Sequence, residues 1–277
     1  MKPKTKRILS PIFKWFLIVI VAFIILLPLL WIFTSSISPA DELFSSPIHY
    51  LPKHPTLDNY VRIFTQMNLG EKILNTTIIT VCSLILSTVI CLMAAYAFTR
   101  YSGKGLTLVY AAIVASALIP GIVTARPLYD LMKKFGLIDT FPGLIIMYTS
   151  ALIPFTMLIL GNFLSEIPVS LDEAAEIDGA TGFRRFKAIT WPLLKPTTMY
   201  VFIIALTSAF KTVDHLYIMT KGGPGNATNM LLFYIYQTGF DYWNNGKASA
   251  MTVILVGILL IVTAVKFFYD DRHAYYN

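Results

Sequence analysis

The sequence predicts an all-α membrane protein with six transmembrane helices. Three observations support this fold class: the composition, a series of long apolar runs, and a basic segment before the first run. Of the 277 residues, 56% are hydrophobic and only 13% are charged, whereas a soluble domain carries about 25% charged residues. The chain therefore lacks the polar cover of a soluble enzyme. It is also too aromatic for a disordered chain, with 19 Phe, 15 Tyr and 4 Trp.

The net charge of +7, from 22 basic and 15 acidic residues, has two explanations. One is a nucleic-acid partner, and the other is a set of basic loops that face the cytoplasm and anionic lipid. In so apolar a chain the second explanation is favoured. The composition therefore indicates membrane lipid as a partner and no nucleic acid.

Six apolar runs define the predicted spans, since a transmembrane helix needs about 20 apolar residues. The first run, 15–33, is too long for the core of a signal peptide and is interpreted as a retained helix. The fifth run has only 15 residues, 196–210, before Lys211. It is either a re-entrant segment or a helix that continues through Lys211 and Asp214 to about Met219. Continuation is favoured because apolar residues resume. The predicted spans lie at about residues 15–33, 73–99, 106–125, 141–165, 196–219 and 248–268.

The basic residues predict the orientation of these spans. Residues 1–14 carry five basic residues and no acid, so this segment is placed in the cytoplasm. With six spans the C-terminus is also cytoplasmic, and 13 of the 22 basic residues then lie on the inner side. The sequence therefore predicts a multi-pass protein of the cell (inner) membrane.

The loop between the fourth and fifth spans, residues 166–195, faces the cytoplasm in this topology, and we call it the elbow. Ser170 and Glu173 have the spacing of a capping box, which predicts a helix that begins at about Leu171. Gly179 can adopt the left-handed conformation that ends a helix. The first half of the elbow is therefore predicted to be a short helix with defined ends.

A second short helix is predicted after it, capped by Thr181 and stopped by Pro192. Such a small helix–turn–helix cannot bury its own apolar face, so it requires a partner surface. The alternative is an amphipathic connector that rests on lipid headgroups. Three acids, Asp172, Glu173 and Glu176, argue against contact with an anionic surface, and docking to a protein is favoured.

Motifs for nucleotide chemistry are not found in the chain. Neither GxxxxGK[ST] nor GxGxxG occurs, and the glycine-rich segment 222–225 is interpreted as a turn. No HExxH motif and no nucleophile–base pattern is present. We therefore expect no cofactor on this chain and no ATPase site of its own.

The elbow resembles the EAA signature of permease subunits of binding-protein-dependent ABC importers. The matching residues are Glu173-Ala174-Ala175, Gly179, Ile189 and Trp191-Pro192. Trp191 stands where the family usually has Leu, which is an apolar exchange. Other stretches resemble the carbohydrate-uptake, maltose-type branch of that family. They are residues 39–44, 57–60, 136–140, 219–224 and 247–251. The resemblance as a whole extends over nearly the whole chain after residue 10.

The resemblance implies a transport subunit that works in an assembly. Its implied partners are a second homologous permease subunit, two ATP-binding subunits and an extracytoplasmic solute-binding protein. Mg-ATP would be bound by the ATPase subunits, and the elbow would seat in a cleft of one of them. The implied coupling residues are Glu173, Ala174, Ala175, Asp178, Gly179, Gly182 and Phe183.

The resemblance also implies a solute path partway across the bilayer. It carries the path to Ala151, Leu152 and Phe155 on the fourth span, and to Thr207 and Ser208 on the fifth. An aromatic face can stack on a sugar ring and hydroxyl groups can bond to it. A sugar or sugar-like solute is therefore expected.

Lys211 and Asp214 are an intramembrane pair by position, which favours a functional role or mutual pairing. The alternative is that they are solvated at the outer interface. For the solute, glycerol phosphate or a polyol remains a second candidate, since Lys211 would favour an anion. An ion-gradient-driven secondary transporter is an alternative of another class, but it would require internal repeats and acids deep in the spans. A membrane scaffold without transport would leave the polar residues of the fifth span unexplained.

Overall fold

We describe the fold from a computed structural model of the chain, for residues 11–47, 49–101, 103–211, 216, 223 and 228–273. Within these ranges the regular structure is helical and no strand occurs. The α-helices, in chain order, are α1 (Pro11–Ser36), α2 (Ala40–Leu43), α3 (Asp58–Thr65), α4 (Leu69–Arg100), α5 (Lys104–Ala115), α6 (Gly121–Lys134), α7 (Phe141–Glu166), α8 (Val169–Ile177), α9 (Gly182–Arg185), α10 (Trp191–Lys211), α11 (Leu231–Tyr236) and α12 (Asn245–His273). A 3₁₀ turn occupies Ser116–Leu118, and π-helical turns occupy Phe186–Thr190 and Gln237–Asp241.

The predicted all-α membrane fold is confirmed. In the part of the chain that the structure describes, five helical stretches are long and apolar enough to cross a membrane. A sixth candidate is a pair of helices bent by 112°. The five straight stretches are Phe13–Ser36, Leu69–Arg100, Phe141–Glu166, Gly182–Ser208 and Asn245–Val265.

The bent pair lies where the sequence predicts the third span as one helix over 106–125. Instead, the helix ends in the 3₁₀ turn, and a new helix, α6, begins after Pro120. Ile119 is extended, with φ −82° and ψ 120°. Proline disfavours the helical conformation in the residue before it and donates no backbone hydrogen bond. Pro120 therefore divides the predicted third span into two helices that are bent by 112° relative to each other.

The fifth span also differs from its prediction. Helix begins at Gly182 rather than 196 and continues through the π turn into α10. Pro192 does not stop the helix, so that expectation is wrong. The Trp191 amide donates to the carbonyl of Phe186, five residues earlier, and this wider turn carries the backbone past a residue that cannot donate. The predicted continuation to Met219 falls on 212–215 and 217–219, outside the described residues.

The chain divides into two compact units, Met1–Asn68 with Ile235–Ile254, and Leu69–Tyr234 with Leu255–Asn277. In the second unit α4 packs against α7, and α10 packs against both. Small polar side chains join the first pair: Ser83 Oγ donates to the Ile145 carbonyl at 3.1 Å, and Cys91 Sγ lies 3.6 Å from the Ile153 carbonyl. Such bonds between membrane helices contribute about 0.6 kcal/mol each. The three helices thus form one packed group.

In the first unit a buried amide connects α3 to the end of α1. Asn59 Nδ2 donates to the carbonyls of Ser36 and Ser38, at 3.1 and 3.0 Å. The Ser36 hydroxyl also bonds the Tyr60 hydroxyl at 2.8 Å. The last carbonyls of a helix have no partner within it, so Asn59 satisfies one of the groups that α1 leaves open.

We predict that Asn59→Ala destabilises the first unit by about 1–3 kcal/mol, because two buried carbonyls lose their donor. The measurement is thermal unfolding of the purified protein in detergent. The control is Asp58→Ala, which removes only an exposed ion pair with Arg62, worth about 0.3–0.5 kcal/mol. Equal destabilisation by the two variants would contradict the role given to Asn59.

Candidate functional site

The elbow begins with a sharp change of direction between α7 and α8. Ile167 is extended, with φ −77° and ψ 117°, and Pro168 occupies the position before α8. The Leu171 amide donates to the Pro168 carbonyl at 3.2 Å, which forms the first turn. The predicted capping box is therefore wrong: α8 starts at Val169, and no side chain caps it. The proline sets the break two residues earlier than Ser170, which lies inside the first turn.

The end of α8 is formed as the sequence predicts. Gly179 has φ +78°, a conformation that other residues rarely adopt. The Ala180 amide donates to the Ala175 carbonyl at 2.9 Å, and the Gly179 amide donates to the Glu176 carbonyl at 3.0 Å. These two bonds are those of the Schellman motif. The turn at Gly179 thus fixes the direction in which the chain leaves α8.

A buried ion pair connects α8 to the end of α4. Arg100 Nε lies 2.6 Å from Asp172 Oδ2, and both side chains are only 7% exposed. Arg100 Nη1 also donates to the Ile167 carbonyl at 3.2 Å. Arg100 Nε and Asp172 Oδ2 form a charge contact but not an aligned hydrogen bond, since neither atom has a hydrogen-bond partner among the described residues. The same holds for Arg100 Nη2 and Asp172 Oδ1. One guanidinium group thus contacts both sides of the junction between α7 and α8.

A second ion pair connects α8 to α9. Arg185 Nη1 lies 2.6 Å from Glu176 Oε2 and 3.5 Å from the Asp172 carbonyl. Thr181 occupies the position before α9, as predicted, but its side chain forms no capping bond. Arg185 therefore fixes α9 to α8 where the predicted cap does not.

The outer face of the elbow is exposed. Ile177 is 87% exposed and Phe183 is 77% exposed, beside the exposed acids Glu173 and Asp178. Of the predicted coupling residues, only Ala175 is half-buried. The other six, Glu173, Ala174, Asp178, Gly179, Gly182 and Phe183, are exposed. The elbow is held from its inner side and presents an apolar and acidic outer side, which suits a protein partner that carries basic and apolar groups.

Six of the seven predicted path residues lie on α7 and α10, which pack against each other. Leu152 is buried in an apolar cluster with Leu84 and Ala205. Its neighbours Ala151 and Phe155 are exposed, Phe155 by 40%. Of the three candidates on α7, only Leu152 therefore lies in the packed interface with α4 and α10.

On α10, Thr207 is half-buried and its hydroxyl donates to the Ile203 carbonyl at 2.9 Å, while Ser208 is exposed. Lys211 is the last residue of that helix, and its side chain is outside the described part of the structure. Asp214 also lies outside the described residues. No group of three or more His, Cys, Asp and Glu residues that could hold a metal occurs among the residues that the structure describes.

The pairing of Arg100 with Asp172 is not predicted by the sequence. In the sequence alone, Arg100 is only a charge that flanks the second span, and Asp172 is only one of three acids on α8. The two residues are 72 positions apart, so no local pattern joins them. The one available signal is that Arg100 directly ends a long apolar run, where a charge that cannot reach water needs a partner.

The family model described as "Binding-protein-dependent transport system inner membrane component" matches residues 87–273, which include the elbow. The chain is 31% identical to the diacetylchitobiose uptake system permease protein NgcG of Streptomyces coelicolor over 254 residues, 88% of this chain and 81% of that protein. It is 41% identical to the sn-glycerol-3-phosphate transport system permease protein UgpA of Brucella abortus over 115 residues, 41% of this chain and 39% of that protein.

The fold is similar to that of a solved chain from a bacterial ABC transporter involved in the import of the acidic polysaccharide alginate. The TM-score is 0.80 at 21% sequence identity, and the match covers 97% of this chain and 99% of that chain. At this identity the likeness concerns the arrangement of helices, including the elbow between the fourth and fifth spans.

Proposed function

The chain belongs to the family of inner membrane components of binding-protein-dependent transport systems, and we propose that it imports a sugar or sugar-like solute as one of a pair of permease subunits. As a member of this family it is a membrane-spanning transport subunit, and ATP hydrolysis resides on separate chains. The second permease is a homologous chain, and an extracytoplasmic binding protein delivers the solute to the pair. Mg-ATP is bound by two ATPase subunits and not by this chain.

The observation that carries the proposal is the elbow, which is fixed on its inner side and open on its outer side. Arg100 and Arg185 hold α8 in place, and the Schellman turn at Gly179 sets its end. An ATPase subunit docks on the exposed face that includes Ile177 and Phe183. Because the hydrogen-bonded Schellman turn at Gly179 is the short link between α8 and α9, docking force displaces the two helices together rather than deforming a loose loop.

The elbow and both chain termini lie in the cytoplasm in this proposal. The basic residues before the first span support the placement of the N-terminus. An even number of spans then returns the C-terminus to the same side. The acids of the outer face are thereby exposed to the aqueous compartment that contains ATP.

Relatives support a sugar as the solute, because the similarity to the diacetylchitobiose permease extends over most of both chains. The exposed aromatic face of Phe155, with Thr207 and Ser208 on α10, gives groups that can stack on a sugar ring and bond its hydroxyls. Family membership favours ATP-driven import over an ion-gradient-driven secondary transporter.

Glycerol phosphate is the second candidate, within the same machinery. It is supported by the higher identity to the glycerol-3-phosphate permease over a shorter region. Lys211 would neutralise part of the charge of such an anion if it lines the path with Asp214. Binding assays on the cognate binding protein, with sugars and with glycerol phosphate, distinguish the two candidates.

We predict that Gly179→Leu leaves membrane insertion intact but weakens association with the ATPase subunit and lowers uptake. A leucine at φ +78° costs about 1–2 kcal/mol in backbone strain. If the free energy of docking is reduced by this amount, association with the ATPase subunit weakens by roughly 5–30-fold. The measurement is the amount of ATPase subunit that purifies with the chain.

The matched control is Gly136→Leu, since Gly136 has φ +66° and, like Gly179, has open space where the first carbon of a side chain would stand. Gly136 lies in the turn between α6 and α7, away from the elbow in sequence. Both variants carry similar backbone strain, but only Gly179 lies in the elbow. We therefore expect only the Gly179 variant to lose the ATPase subunit. Unchanged uptake by the Gly179 variant would count against the proposed docking.

We also predict that Phe155→Ala raises the solute concentration needed for half-maximal uptake several-fold, because a stacking surface is lost, while the ATPase subunit stays bound. The control is Ile146→Ala on the same helix, away from the elbow in sequence. Phe155 and Ile146 are 40% and 42% exposed, so the two variants remove similarly exposed apolar side chains. Equal effects of both variants on uptake would show that Phe155 has no particular contact with the solute.

A further inference from the structure

We propose that Arg100 and Asp172 are positioning residues that transmit movement of the elbow to the transmembrane helix α4. This inference rests on the proposed function, in which an ATPase subunit displaces the elbow. It adds a way of transmitting movement other than through the covalent chain. In sequence, α4 is separated from α8 by the bent pair and by α7.

The geometry shows why the elbow needs such a connection. The covalent link from α7 to α8 is the extended pair Ile167–Pro168. Ile167 bonds back to Leu164 and Pro168 forward to Leu171, so neither of these bonds joins α7 to α8 across the link. Arg100 spans this link, because Nη1 bonds the Ile167 carbonyl and Nε contacts the Asp172 carboxylate. A displacement of α8 therefore acts directly on the last turn of α4.

The surroundings of the guanidinium group extend the connection to the start of the fifth span. Arg100 lies 6.0 Å from the centre of the Tyr96 ring, and Tyr96 makes an edge contact with Phe186 at 6.1 Å between ring centres. Phe186 begins the π turn that leads into α10. Arg100 is thus connected to the π turn through the ring of Tyr96.

Burial makes this connection hard to break. With each side chain only 7% exposed, separation of the two groups would leave uncompensated charges away from water. The pair therefore moves as one body when the elbow moves. An exposed pair would dissociate easily and transmit little.

The packing of α4 carries the displacement further. Leu92 and Ala95, in the last turns of α4, belong to one buried cluster with Leu160 of α7 and Val201 of α10. The helices that carry the path candidates are therefore in contact with the helix that Arg100 terminates. Movement of the elbow can reach the path through side-chain packing alone.

The experiment uses the complete transporter, reconstituted with its partner permease and ATPase subunits. An environment-sensitive fluorophore is attached at Met93→Cys, an exposed position near the end of α4 (71% exposed), after the exposed Cys82 is replaced by alanine. The probe of the transition is Mg-ATP with vanadate, so the solute need not be known. Two quantities are measured, the amount of ATPase subunit bound and the change in fluorescence.

For the unaltered pair we expect a fluorescence change on addition of Mg-ATP and vanadate. Asp172→Asn should retain the ATPase subunit and ATP hydrolysis but lose most of this change. If Asp172→Asn does not assemble, Arg100→Lys decides, because it keeps the charge but cannot contact Ile167 and Asp172 together. The matched control is Asp130→Asn, which removes an exposed pair with Arg126 and should leave the change intact.

A full fluorescence change in an assembled Asp172→Asn or Arg100→Lys transporter would overturn the inference. A merely structural role would instead reduce bound ATPase and fluorescence change in proportion, which would also overturn it. Failure of the proposed function is separate, because the chain with its native pair would then bind no ATPase subunit.

Discussion

The buried contact between Arg100 and Asp172 is the interaction that attaches the elbow to the transmembrane helix α4. A short helix of nine residues, Val169–Ile177, has little stability of its own, since isolated helices shorter than about 12–15 residues are marginal in water. Its position is set by two arginines that lie in other elements, Arg100 at the end of α4 and Arg185 in α9. Without the first, an extended proline link would be its main attachment to the membrane helices.

In the proposed function, this attachment lets a transport subunit whose ATP hydrolysis resides on separate chains respond to ATP. The exposed side of the elbow is proposed to contact the ATPase subunit, and its inner side contacts α4 through Arg100. α4, α7 and α10 pack together through apolar clusters and a few hydroxyl and thiol contacts to backbone carbonyls. Because the side chains of these helices are closely packed, a shift at one end of α4 alters the positions of α7 and α10.

Local features of the fold could be predicted from the sequence, and tertiary ones could not. The apolar runs indicate the spans, because lipid demands a long charge-free helix wherever the chain crosses it. Gly179 is identifiable as the end of α8, since a left-handed residue depends on its own backbone. The fold and family follow from these features and from the motif in the elbow.

The features that differ from their predictions depend on backbone and tertiary effects that a local residue pattern does not show. Hydropathy alone predicts one helix in the third run, because it does not register the effect of Pro120 on the backbone of Ile119. At Pro192 the sequence predicts the end of a helix. The helix continues there because it contains a π turn, which no residue pattern predicts. At the start of α8 the Ser170–Glu173 spacing suggests a cap, but Pro168 already sets the first turn. The partner of Arg100 is visible only in three dimensions.

Cross-linking from the outer face of the elbow tests its contact with the ATPase subunit directly. Cysteine is placed at Ile177 in a chain with Cys82 replaced by alanine, and a thiol-reactive bifunctional reagent is added to the assembled transporter. We expect a cross-linked product between this position and the ATPase subunit. We expect none from Leu118→Cys, which is similarly exposed at 86% but lies far from the elbow in sequence. Labelling of the Ile177 position from outside the cell, with no product to the ATPase subunit, would contradict the proposed contact.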